Sequence, residues 1–302
     1  MPKSVLALGT FSTRVPQHSY YDLRNAFQTT GNIWFVDSNA AASGTGISPE
    51  GAVQTIDAAI NLCTANNGDI IIVMEGHTES ISTANGIALD VVGVTILGLG
   101  RGRSRPVITF TTAVGASFDI SAASNHVENL VFVCGIDDQT AMLNVTAADV
   151  TVRNCEFQLA DATYDAEIGI KVSDAGDRFL IEDCRFHGTG NTTVVAGAIS
   201  FGAADNGTIR RNSIAGYFGT TGCILNAAAA ANVAIADNLL LNQSADANNV
   251  LINLHASTAA LIVGNRGGII DSTSPAPVVA AAGFVGANWF SSNVGVTASV
   301  LM

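Results

Sequence analysis

What this 302-residue sequence has little of sets the first limits. Only 13% of its residues are charged, about half of the roughly 25% usual in globular chains. Lys and Arg number 13 against 25 Asp and Glu, a net charge of −12. Nucleic acid and anionic membranes both select a basic face, so neither is expected as a partner. Aromatic residues make up only 6%, yet apolar residues reach 48%. That excludes intrinsic disorder, which needs low hydrophobicity and high charge. No apolar run approaches the ~18 residues of a membrane-spanning helix. The first residues, MPKSVLALGTFSTR, hold too short an apolar run for a secretory signal. Cys63, Cys134, Cys155, Cys184 and Cys223 stand apart, with no CxxC and no Cys/His cluster. Neither a metal site nor a disulfide framework is therefore expected. The cysteines read as buried apolar thiols of a protein made in a reducing cytoplasm.

What is present is a repeat. An aliphatic residue, two mostly polar or small ones, a Cys or Asn, one more and often an apolar residue recur along the chain. The copies are VENLVF from Val127, VRNCEF from Val152, IEDCRF from Ile181 and IRRNSI from Ile209. IADNLL from Ile235, IVGNRG from Ile262 and VGANWF from Val285 follow, and a looser ILGLGR starts at Ile96. The starts are 31, 25, 29, 28, 26, 27 and 23 residues apart. A second short strand and a small-residue turn precede each copy, as in FDI then SAASN. Short strands with no helix between them do not make a Rossmann-like chain. They predict an all-β solenoid of stacked parallel strands.

Stacking puts equivalent residues of successive coils about 4.8 Å apart. The fourth motif position reads Leu130, Cys155, Cys184, Asn212, Asn238, Asn265, Asn288, so four asparagines form a candidate ladder. Asn tolerates the left-handed backbone of a bend, and stacked amides can bond from coil to coil. The second position alternates Glu128, Arg153, Glu182, Arg210, and Glu156 falls over Arg185. Alternation avoids like charges directly opposite. Cys155 and Cys184 fall in adjacent coils, within disulfide reach in principle; a stacked thiol pair in the core is the simpler reading.

Ahead of the repeat, Ser48-Pro49-Glu50 predicts a helix start. Val53, Ile56, Ile60 and Cys63 then give one apolar face, and Asn66-Asn67-Gly68 the end. Such an α-helix would cap the open end of the solenoid, whose first coil otherwise exposes core and strand edge. Ile70–Val73 begins the stack. Three segments result: an N-terminal arm over 1–31, an opening with its capping helix over 32–68, and coils with a C-terminal cap over 69–302. The arm carries Arg14, Tyr20, Tyr21, Arg24 and Phe27, candidates for attachment to something larger. The final stretch GFVGANWFSSNVGVTASVLM has no charge and suits an end cap or a subunit interface.

FVDSNAAASGTGISPEGAVQTIDAAI (35–60), GDIIIVMEGHTESI (68–81) and VTILGLGRG (94–102) resemble the opening of right-handed parallel β-helix proteins. That superfamily includes pectate-lyase-like enzymes, phage tailspikes and other virion proteins. The Ala/Gly/Val-rich, low-charge chain is most similar to those of tailed-phage particles. The resemblance implies a single-stranded right-handed parallel β-helix, a homotrimer, and a place in the virion, assembled in the host cytoplasm.

Chemistry is harder to find. Asp137, Asp138, Asp161, Asp165, Glu167, Asp174, Asp177, Glu182 and Asp183 cluster mid-chain, and Asp161, Asp165 and Glu167 are the candidate catalytic carboxylates on a long loop. A glycan-cutting pair must stand about 5–9 Å apart; a solvated acidic rim is the plainer reading. Tyr164, Tyr217 and Phe218 are the only aromatics on these loops that could stack on sugar. His18, His77, His126, His187 and His255 are scattered, and GLGRG lacks the Lys and helix of a phosphate loop. No cofactor and no metal are expected. The leading expectation is a non-catalytic, trimeric decoration protein bound to a phage head. The alternative is a tailspike or tail-fibre protein that binds or cleaves host surface polysaccharide, as an enzyme or as a glycan-binding module.

Overall fold

The computed structural model describes residues 29–161, 163–188, 195–270, 275–279 and 283–292. These wind into a three-sided solenoid of parallel strands. Sheet A has ten strands, from Ile33–Val36 to Gly283–Gly286; sheet B has nine, from Thr78–Ile81 to Trp289–Ser292; sheet C has eight, from Ile87–Leu89 to Ala276–Val279. The chain visits A, B and C in turn, completing about eight turns.

The register is the one the repeat predicts. Ile96, Val127, Val152, Ile181, Ile209, Ile235, Ile262 and Val285 pair in sequence along sheet A. All but Val285 are fully buried, and each such aliphatic side chain contributes about 1.5–3 kcal/mol. In sheet B the inward column carries Phe132, Phe157 and Phe186, stacked with ring centroids 4.8 and 4.7 Å apart. The centroid spacing equals the strand spacing, so the rings stack because the backbone does.

The bend between sheets A and B differs from expectation in one detail. The left-handed residue is the one before the ladder asparagine: Asn129, Asn154, Asp183, Arg211, Asp237, Gly264 and Ala287 all have φ between 50° and 67°. The asparagines instead point inward and bond along the stack. Asn238 Oδ1 accepts the Asn212 backbone N–H at 2.9 Å and its amide at 3.1 Å. Asn265 and Asn288 repeat the pattern one coil on, and each Nδ2 donates to a carbonyl of the preceding coil, as Asn238 does to Ile209. In earlier coils Cys155 and Cys184 hold the same corner, their thiols directed at the Val127 and Val152 carbonyls. All five cysteines are free thiols.

The expected single capping helix is not formed as such. Ser48 does cap a turn, its hydroxyl accepting from Gly51 N–H, but that turn is a 3-10 element over Pro49–Gly51. A separate five-residue helix, Ile56–Ile60, starts at Thr55, whose hydroxyl accepts from Ala58 N–H. The strand pairing at Val53, a bridge to Val36, breaks the longer helix. Ile56, Ala59 and Ile60 still enter the main core. His77 is buried here: its Nδ1 accepts from Ser38 N–H, so Nε2 holds the proton directed at Glu79, 3.2 Å away. Glu79 in turn accepts the Ile56 N–H. His77 therefore ties the opening together. GLGRG is a turn between coils, its Gly98 and Gly100 carbonyls accepting from the Asn129 side chain.

Candidate functional site

The fold distributes the nine mid-chain acidic residues over all three corners. Asp174 and Asp177 stand between sheets C and A, where their carboxylates accept the Ala203 and Asp205 N–H groups one coil on. Glu182 and Asp183 stand between A and B in a cationic network. The rest lie on the loops joining B to C.

Of the candidate catalytic residues, the structure commits two to the backbone. Asp161 Oδ1 accepts the N–H groups of Thr163 and Tyr164 at 2.6 and 2.8 Å, closing a tight turn. Asp165 is buried, and its Oδ1 accepts Asp138 N–H at 3.0 Å across to the preceding coil. Glu167 is exposed, and its backbone rather than its carboxylate links the coils, N–H to Gln139 and carbonyl to Gly197. What comes together is a different trio. One oxygen each of Asp137, Asp138 and Asp165 lie within 4.8 Å of one another. Desolvation first, then the Asp165 and Asp138 charges, raise the Asp137 pKa. Carboxylates this close are nearer than the roughly 6.5–9.5 Å of an inverting glycosidase pair. They have the donor set for a hard divalent cation. Beside them Tyr164 is 39% exposed, whereas Phe218 is fully buried in the core.

The charge ladder is as the sequence predicts for its sheet A column. Glu128, Arg153, Glu182 and Arg210 are in register. Arg210 meets Glu182 at 2.7 Å, Arg211 joins Asp183 at 2.9 Å, and Arg153 lies 3.6 Å from Glu182. Burial alone would raise the Glu182 pKa, but Arg210 and Arg211 outweigh it and hold the carboxylate below its ordinary range. In sheet B, Glu156 does pair with Arg185 in register. Its carboxylate, however, goes to Arg105 at 3.1 Å and His187 at 2.9 Å. Arg105 reaches back from an earlier loop, also donating to the Leu130 and Asn154 carbonyls. Sequence spacing could not show that contact.

A second feature lies outside the acidic region. On the outer face of the last coils, sheet B forms a groove of about 410 Å³ among Leu239, Leu241, Gly268, Arg266 and Trp289. Leu239 is 55% and Trp289 57% exposed. Around the corner on sheet A, Leu261 pairs with Phe284, 45% and 64% exposed. Phe284 and Trp289 belong to the uncharged final stretch expected to form an end cap or interface, whereas Leu239, Leu241, Leu261 and Gly268 were not singled out from the sequence. The attachment candidates Arg14, Tyr20, Tyr21, Arg24 and Phe27 lie outside the described residues.

The chain superposes on a tailspike protein mutant of E. coli bacteriophage HK620, crystallised with a pentasaccharide, at a TM-score of 0.52 and 13% identity. The match covers 84% of this chain and 58% of the tailspike. The fold is the right-handed parallel β-helix. A pectate lyase, Pel9A (TM-score 0.42, 14% identity, 90% and 82% of the two chains), is also similar. So is ORF18 of Geobacillus virus E2 (TM-score 0.29, 11% identity, 90% and 63%). No protein-family model and no curated protein matches the chain. At 13% identity the likeness to the tailspike establishes the β-helix and not an activity.

Proposed function

We propose that this β-helix is a non-catalytic structural protein of a tailed-phage particle, assembled as a homotrimer and carried on the head through its N-terminal arm. The observation that carries the reading is the state of the acidic side chains. Asp161 and Asp165 accept backbone N–H groups, and Glu182 and Asp183 are held by arginines. Asp161 is committed to its own turn, and Asp165, Glu182 and Asp183 to bonds that link coils. The arm residues Arg14, Tyr20, Tyr21, Arg24 and Phe27 have the mix of charge and aromatic area that anchors protein contacts. The fold of a phage tailspike supports a virion scaffold.

The alternative is a tailspike or tail-fibre protein acting on host glycan. It draws on one observation, the Asp137, Asp138 and Asp165 trio beside exposed Tyr164. Two measurements separate the readings. Reconstruction of the parent particle should show this β-helix on the icosahedral lattice; density on the tail would favour the alternative, and absence from the particle would overturn both. Incubation with host surface polysaccharide should release no reducing ends. Release that disappears on changing Asp137 and Asp165 to Ala would make the protein an enzyme.

A further inference from the structure

Only three asparagines in the chain precede a glycine: Asn67-Gly68, Asn85-Gly86 and Asn206-Gly207. Asparagine is a thermolabile residue, and most so before glycine, whose backbone nitrogen no Cβ shields. The three pairs are alike in sequence and differ in how the fold holds them.

Reaction at such a pair has two requirements. The peptide unit between the residues must turn to bring the glycine nitrogen to the asparagine Cγ, and the side-chain amide must be loose enough to receive it. At Asn85 the first fails. The Gly86 N–H donates to the Ser117 carbonyl at 3.1 Å, and the Ser117 hydroxyl accepts the Asn85 N–H at 2.9 Å. At Asn67 the second fails. Its amide donates to Asp69 Oδ1 at 2.7 Å, and Asp69 is fully buried, also accepting the Asn32 and Thr64 N–H groups. Asn206 meets both. It is exposed at the bend between sheets C and A, and among the described residues neither its carbonyl nor the Gly207 N–H makes a hydrogen bond. Its Oδ1 accepts from Asn232 Nδ2 at 3.3 Å, a donor placed to stabilise charge on the carbonyl under attack.

We propose that Asn206-Gly207 is a self-modifying site, at which the chain converts its own asparagine to an acidic residue. The Gly207 nitrogen bonds to Asn206 Cγ and gives up its proton; the Cγ–Nδ2 bond breaks and ammonia leaves with that proton. Water then opens the cyclic imide at either carbonyl, leaving aspartate or isoaspartate. This chemistry is independent of the structural role proposed above and adds a modification site to it.

The surroundings fix the reactive pair in place and meet its product. Gly207 admits no larger residue, because an added Cβ would lie 2.1 Å from the Phe179 ring. The register puts Asp149, Arg178, Asn206 and Asn232 in one column at this bend, two residues ahead of the sheet A strands. All four are left-handed, with φ between 57° and 60°. Arg178 already binds Asp149 through two bonds of 2.7 Å. An aspartate at position 206 would stand on the other side of Arg178 and extend that column, whereas isoaspartate inserts a main-chain carbon into the bend.

The test ages the full chain at pH 8 and follows tryptic peptides by mass spectrometry. The Asn206 peptide should show the mass gain of ammonia exchanged for water roughly tenfold faster than the Asn85 peptide, the factor set by one hydrogen bond broken before ring closure. The Asn67 peptide should lag as well. In denaturant, where the fold no longer distinguishes them, the three should react at similar rates. Asn206→Gln should silence its peptide, and Asn232→Ala should slow Asn206 several-fold. Native rates at Asn67 or Asn85 that equal or exceed that at Asn206 overturn the proposal. So does a native chain that gains no mass at Asn206 while the denatured chain does. An unchanged Asn206 rate in Asn232→Ala overturns the part given to the Asn232 amide.

Discussion

Removing one rung of the asparagine ladder should cost far more than a surface polar substitution. In Asn238→Ala, the Asn212 backbone N–H loses its acceptor at 2.9 Å and the Ile209 carbonyl loses its donor at 3.0 Å. Both partners are in the interior, since Asn212 and Asn238 are each 1% exposed. A buried polar group stranded without a partner costs about 1–3 kcal/mol. Two such groups, with the void left by the amide, give about 3–5 kcal/mol. Part of the ladder survives: the Asn212 amide keeps the Ile181 carbonyl, and Asn265 Oδ1 keeps the Asn238 N–H. Asn238→Cys is the informative companion. Cys184 already occupies this corner with its thiol 3.6 Å from the Val152 carbonyl, so the thiol should recover part of the loss, leaving about 1–2 kcal/mol. Denaturant unfolding gives the totals, and hydrogen exchange at the Asn212 amide shows whether the loss is local, as nearest-neighbour coupling in a solenoid requires. An Asn238→Ala cost below about 1 kcal/mol, or equal costs for Ala and Cys, would refute the assignment of stability to the stacked amides.

Acid should weaken the stack through Glu182. Its pKa is depressed in the folded protein from an ordinary value of 4.5, so its contribution is complete above that value and is lost as pH falls through the lower folded pKa. Glu182→Gln should remove that part of the acid sensitivity and cost about 1–2 kcal/mol at neutral pH, moderated by the half-exposed arginines. Asp137 has the opposite sign: its pKa is raised, so its ionised form opposes folding, and Asp137→Asn should raise the melting temperature at pH 7 but not in acid. Burial pushes the Cys63 thiol up to about 12 and the Cys134 thiol up to about 11. At pH 8 Cys63 and Cys134 of the native protein should therefore alkylate slowly, and much faster on unfolding, as followed by mass spectrometry. Phe157→Ala, deleting the middle of the ring stack, should destabilise by about 3–5 kcal/mol in the same unfolding assay.

The coil register was legible because a parallel solenoid repeats one environment at one position per turn. A buried aliphatic at Val127 demands another at Val152 and Ile181, and the sequence supplies them. The same logic exposed the ladder and the Glu128–Arg153–Glu182–Arg210 column. It failed where a contact depends on a loop rather than on the repeat. Arg105 reaches Glu156 from 51 positions away, taking the place that register assigned to Arg185. It also failed at the opening, where apolar spacing from Val53 to Cys63 reads as one helix but Val53 bridges Val36 instead.

The candidate site was the least legible part, for a related reason. Stacking places like residues over like positions, which specifies columns but not the convergence of unlike groups that chemistry requires. Asp137, Asp138 and Asp165 meet because the Gln139 N–H bonds to the Asp165 carbonyl and the Asp138 N–H to its Oδ1, which brings two loops together. Nothing in their spacing states that pairing, and Asp161, four residues from Asp165, folds into its own turn instead. The outward apolar residues present the converse case. Leu239, Leu261, Phe284 and Trp289 follow the alternation of their strands, so their exposure was implicit once the inward column was known. A periodic fold thus makes surfaces easier to read than sites, and here the surface least able to stand alone in water is the one that alternation identifies.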